Sequence, residues 1–227
     1  MLKLFITLQY KVLLIMSEKN YLQDLSEIKN IMNKSTRFMS LSGLSGIMAG
    51  IYALIGAFLA HTILIDYVNT TNRSVYNAEM NFVSDLIGVK LQLIGVALTV
   101  AILSVVTAYI LTKKKAKKEG ISVWSATTKR LLFHFFIPLA TGGVFSLIIL
   151  NQGFYGFVAP ATLIFYGLAV VNASNFTFSN VKYLGIAEII LGLIAMNYIG
   201  SGLYFWAVGF GVFHIIYGTI MYMKEHE

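Results

Sequence analysis

The chain has 227 residues, of which 57% are hydrophobic and only 12% charged, with a mean hydropathy of +0.75. A soluble domain carries roughly a quarter of its residues charged, so this composition excludes a soluble globular fold and directs the surplus apolar surface into lipid. Cysteine is absent, which removes disulfides, thiolate metal sites and cysteine nucleophiles.

In chain order, residues 1–15 are apolar but interrupted by Gln9 and Lys11, too short to span, and followed at Met16 by a polar stretch. Met16 therefore reads as a natural start, with a short interfacial helix as the even alternative. Residues 17–37 form an amphipathic helix of the inner leaflet: Tyr21, Leu25, Ile28 and Met32 share one stripe, while Gln23, Glu27, Asn30, Lys34 and Arg37 fill the other. Together these make an amino-terminal arm over 1–37.

The transmembrane domain follows over 38–223, leaving a tail of 224–227. Its spans are expected near 39–66, 88–111, 131–151, 153–172, 181–199 and 203–223. Each is close to or longer than the ~20 residues that cross a hydrocarbon core. Only helices satisfy their own backbone there, so the fold class is all-α, a polytopic protein of six transmembrane helices with an amino-terminal interfacial helix. A polar loop is expected over 68–86 and an interfacial elbow over 121–130, with Trp124 at headgroup level. Pro138 and Pro160 are expected to kink the third and fourth spans. His61, Asp66, Asp85 and Lys90 are expected to form a solvated ion-pair cluster at the outer ends of the first two.

Of the 17 lysines and arginines, all but Arg73 and Lys90 fall on one side of this topology. The positive-inside rule places both termini in the cytoplasm. The run Lys113–Lys118 reads as an anchor for anionic headgroups, worth ~1 kcal/mol per basic residue. Nucleic acid is rejected as its partner because the run is pinned against the membrane. A second copy or another membrane protein remains open as a partner.

No glycine-rich phosphate loop, nucleophile elbow or zinc-protease helix occurs, so no catalytic residue is assigned and no cofactor is implied. The histidines lie on different helices without ligand spacing, which argues against a metal site. Small residues mark close helix contacts: Ser42, Gly46 and Gly50 on the first span, with Ala49, Ala53 and Ala57 beside them.

The last two spans carry matching patterns, Gly185–Glu188–Gly192 and Gly211–His214–Gly218. Offsets of three and four put each trio on one helix face. A glycine face is one that another backbone approaches, so Glu188 and His214 belong inside packing seams. Folding the hairpin about Ser201 sets residue i opposite 402 − i, and Glu188 then meets His214. An ionised carboxylate alone in hydrocarbon is costly, so the pair is neutral or mutually satisfied. Tyr217 is a supporting hydroxyl one turn away. His134 is placed near the cytoplasmic edge, as an interfacial residue in preference to a ligand. Holding the hairpin together is the preferred role for the pair, ahead of a proton-sensitive or ligand-coordinating one.

The stretches YLGIAEIILGLIAMNYIGSGLYFWAVGFGVFHIIYG (183–218), TLIFYGLAVVNAS (162–174) and RFMSLSGLSGIMAGIYALIGA (37–57) resemble a group of multi-span membrane proteins of Bacteroidota. The resemblance implies a bacterial inner-membrane protein and assigns no activity and no site residue. The preferred function is a non-enzymatic structural or regulatory membrane component. The alternatives are a small transporter or channel using Glu188 and His214, and an intramembrane enzyme.

Overall fold

Long apolar stretches leave the backbone one economical way to bond, and the chain takes it. A computed structural model describes residues 42–77, 82–118, 120, 122–177 and 181–224, of which 71–77 and 82–85 are described for backbone alone. These residues are helical with no strand among them. The expected amphipathic helix 17–37 and the segment before Met16 lie outside the described residues.

Helix α1 runs over Gly43–Asn77 and α2 over Phe82–Lys118. They span 35 and 37 residues, well past the apolar stretches that define their spans. Most of the loop expected over 68–86 is therefore helix. No glycine or proline falls between Gly56 and Gly88, so the described parts of the polar segment stay helical to Asn77 and from Phe82; hydropathy sets what lies in lipid, not where a helix ends.

Helix α3, Ala126–Asn151, begins inside the expected elbow because Ser125 caps it. The Ser125 hydroxyl accepts from the Thr128 amide at 3.1 Å, and the Thr128 hydroxyl accepts from the Ser125 amide at 3.4 Å. A 3₁₀ turn, Tyr155–Phe157, leads into α4, Val158–Ser174. Pro160 consequently sits in the first turn of α4, where its missing N–H would have had no helical partner, so the kink expected there has no cause. Pro138 does lie inside α3.

Helix α5 covers Lys182–Ala195, and a turn with Gly200 at φ +98° leads to the last helix. That helix, Gly202–Lys224, is divided into α6 (Gly202–Trp206), a π-helical segment (Ala207–Phe213) and α7 (His214–Lys224). Among the described residues, five helices are long and apolar enough to cross a membrane: Gly43–Thr70, Leu86–Lys118, Ala126–Asn151, Tyr155–Ser174 and Gly202–Lys224. Where a span was expected over 181–199, α5 is a helix of 14 residues, about 21 Å at ~1.5 Å per residue.

The last helix is the axis of the packing. It lies against α1 on one side and α4 on the other, with α5 laid on α4; α2 flanks α1 and α3 flanks α4. Glycines set the close approaches. A Cβ on Gly50 would stand 2.6 Å from the Gly211 carbonyl oxygen, and one on Gly46 would stand 3.1 Å from Gly218 Cα. The opposite face of α1 meets α2, where Tyr52 and Thr107 hydroxyls are 3.2 Å apart. In membranes such packing and hydrogen bonding, not hydrophobic burial, holds helices together.

The ion-pair cluster expected of His61, Asp66, Asp85 and Lys90 is not assembled among the described residues. Lys90 lies over the Tyr155 ring at 4.9 Å, and the His61 ring is 6.1 Å from that of Tyr204. Asp66 is exposed, and the Asp85 side chain lies outside the described atoms. An aromatic ring offers a cation a partner that needs no buried counter-charge.

Candidate functional site

Two glycine seams and one turn determine where the polar residues of the last three helices meet. Helices α4 and α5 run antiparallel with backbones almost touching: a Cβ on Gly185 would be 2.7 Å from the Gly167 carbonyl oxygen, and one on Gly192 would be 3.0 Å from the Pro160 carbonyl oxygen. The glycine face of α5 is thus turned to α4. The glycine face of the last helix, Gly211 and Gly218, is turned to α1. The two matched faces do not face one another, as a simple hairpin would have them. Gly185 and Gly192 find their close neighbour on the preceding helix, α4, and Gly211 and Gly218 find theirs on α1, far away in sequence.

The turn also changes the register. Helix α5 ends at Ala195 and α6 begins at Gly202, so the reversal is centred between Tyr198 and Ile199, ahead of Ser201. That centre puts Gly209, not His214, level with Glu188. A Cβ on Gly209 would collide with Glu188 Oε2 and stand 2.5 Å from Leu163 Cδ2. His214 still reaches the same place, because helical side chains lean toward their own N-terminus and the two antiparallel helices lean toward each other.

The result is a cluster from three helices, each residue near the middle of its own. Glu188 is fully buried, and His214 Nδ1 lies 3.5 Å from its Oε1. That is longer than the ~2.7–3.2 Å of a hydrogen bond, and among the described residues neither carboxyl oxygen has a hydrogen-bond partner. His214 is committed elsewhere. Its Nδ1 is 3.1 Å from the Gly209 carbonyl oxygen and its Nε2 is 2.6 Å from the Tyr166 hydroxyl. A carbonyl only accepts, so Nδ1 carries the hydrogen; in the neutral ring Nε2 then accepts from the Tyr166 O–H. Around them Phe210 packs 4.9 Å from the Tyr166 ring and 6.0 Å from the His214 ring.

Tyr166 is the member that sequence reasoning passed over. Its signal was present: tyrosines favour the headgroup level, and one in the middle of a span needs a partner for its hydroxyl. Tyr217 and Glu188 both lie within electrostatic reach of Tyr166. His134 stands apart. Its ring stacks on Phe176 at 4.8 Å, and its carbonyl accepts from the Asn172 amide at 3.2 Å, near the end of α4 remote from the 155–157 turn.

A fully buried carboxyl beside an imidazole can hold or release a proton. A carbonyl-anchored N–H with a second acceptor 0.4 Å farther away can change acceptors. Among the described residues no group of three or more His, Asp or Glu side chains is placed to hold a metal ion. No protein family, curated protein or solved structure matches the chain.

Proposed function

We propose that the chain is a non-enzymatic component of a bacterial inner membrane, crossing it six times with both termini in the cytoplasm and acting as a structural or regulatory subunit through its helix faces. The amphipathic arm over 17–37 lies on the inner leaflet. Helix α5 makes the fifth crossing: it runs the length of α4 from near its end to Pro160, and the turn beyond it returns at Gly156 against Ile199. A short helix suffices where the turns at its ends carry the chain through the headgroups.

One observation carries the functional reading. The specific contacts of the described chain join helix to helix, through glycine backbones at α1 and α5 and through the Tyr166–His214 bond at the centre. The exposed Lys113, Lys114, Lys117 and Lys118 at the end of α2 face anionic headgroups, a lipid role and not a nucleic-acid one. The partner is a second copy or another membrane protein. Native mass spectrometry of the chain extracted in lipid nanodiscs tests this: a complex of fixed stoichiometry is expected. A lone monomer that moves solute or hydrolyses substrate after reconstitution would overturn it.

A further inference from the structure

Glu188 has a geometry that holding two helices together does not account for. A carboxyl placed to tie helices would be found bonded, yet both its oxygens are buried without a partner among the described residues. The His214 Nδ1–H nearby is turned to the Gly209 carbonyl at 3.1 Å and stands 3.5 Å from Glu188 Oε1. That N–H therefore has two acceptors, one fixed in the backbone and one ionisable.

We propose that Glu188, His214 and Tyr166 form a proton-binding site at the centre of the bundle, whose occupancy is passed to the last helix through Gly209; this rests on the membrane-spanning reading above. With the proton on the carboxyl, Glu188 is neutral and Nδ1–H bonds the Gly209 carbonyl, in keeping with the 3.1 Å and 3.5 Å separations. When the proton leaves to water, a carboxylate remains beside a single N–H. A charge-assisted bond is about twice as strong as a neutral one, so Nδ1–H moves to Oε1 and the Gly209 carbonyl loses its side-chain partner. Uptake reverses this: a proton from water forms the O–H bond on Glu188, and Nδ1–H returns to Gly209. No other covalent bond changes. Tyr166, donating to Nε2, keeps the imidazole hydrogen on Nδ1.

Gly209 is suited to report the exchange. It adjoins both partners, with its carbonyl on His214 and the place a Cβ would take filled by the Glu188 carboxyl. It also lies in the π-helical segment Ala207–Phe213, the kind of irregularity that helices carry at functional positions. The titratable neighbours are few. Helix α4 contributes Tyr166, and the last helix contributes His214 and Tyr217. On α1, Tyr52 is bonded to Thr107 and His61 stands by Tyr204. On α5, Lys182 lies over the ring of Tyr183, and on α3 His134 is stacked on Phe176.

Trp206 provides the readout, because its ring is 4.9 Å from Phe210, which packs on both Tyr166 and His214. The chain has two tryptophans, so Trp124→Phe leaves Trp206 as the only one, read by excitation at the red edge where tyrosine does not absorb. In nanodiscs, its emission should follow a one-proton transition with pH. The transition should vanish in Glu188→Gln and shift along the pH axis in Tyr166→Phe. On the parent protein, infrared difference spectra should show a carboxylic-acid C=O band appearing with the same midpoint. A transition that survives unchanged in folded Glu188→Gln, or a parent spectrum with no titrating carboxyl band, overturns the proposal. Failure of the parent chain to insert as a spanning protein would instead count against the membrane reading.

Discussion

Replacing Gly185 by alanine puts a methyl group where α4 leaves no room. Its Cβ would stand 2.7 Å from the Gly167 carbonyl oxygen, 2.8 Å from Val171 Cγ2 and 2.9 Å from the Val171 nitrogen, against an ordinary contact of 3.4–4 Å. Two of these three atoms are backbone and cannot rotate aside, so α4 and α5 must part by about 0.7 Å. Overpacking of this kind costs roughly 1–3 kcal/mol, and alanine's better helix propensity returns at most ~1 kcal/mol. The expected net loss is about 1–2 kcal/mol. Gly143 is the control: it is exposed, with nothing within 4 Å of its Cβ position, so Gly143→Ala should hold stability or raise it by up to ~1 kcal/mol. Reversible unfolding in mixed micelles, followed by helical circular dichroism, measures both. Gly167→Ala should add little on top of Gly185→Ala, since the first methyl has already parted the helices. Equal stability of Gly185→Ala and the parent would refute the seam.

Glu188→Met should be neutral or stabilising by about 1–3 kcal/mol in the same assay, because it removes a buried carboxyl that has no hydrogen-bond partner among the described residues; a clear loss would mean the carboxyl holds the helices together. Tyr166→Phe deletes one interhelical hydrogen bond and should cost roughly 0.6–1.7 kcal/mol, detectable as an earlier unfolding midpoint. Since the native chain has no cysteine, single cysteines at the exposed positions Asn69, Gln152 and Lys117 report topology cleanly. An impermeant maleimide on intact cells should label the first two and leave Lys117→Cys unlabelled until the membrane is opened; the reverse pattern would invert the orientation.

Much of the helical architecture was legible because hydropathy is a sum over neighbours in sequence. Helix ends were less so: α1 continues to Asn77 through a polar segment that contains no breaker, and α5 stops at Ala195 where the chain begins its turn. The expected register failed by a few residues for the same reason. Gly200, Ser201 and Gly202 look like a turn, but Gly202 is already helical and the reversal starts at Met196. A hairpin centred earlier sets Gly209 level with Glu188, and His214 reaches the carboxyl only by leaning back along its helix. Tyr166 signalled its need for a partner by its mid-span position, but which partner was not legible, because His214 lies 48 residues away.

By itself, then, the sequence determined an all-helical chain with long apolar helices, a clustering of lysines and arginines into a few segments, and the presence of glycine faces that some backbone must meet. Each of these is a property of local composition or of a single helix's period. Which backbone meets each face was decided only in the tertiary structure, where α4 takes Gly185 and Gly192 and α1 takes Gly211 and Gly218. The same packing places Glu188 beside an imidazole already bonded on both sides. A glycine records only that something comes close, and a carboxyl only that it needs a partner; the choice among neighbours belongs to the whole fold, because every helix competes at once for the same close contacts.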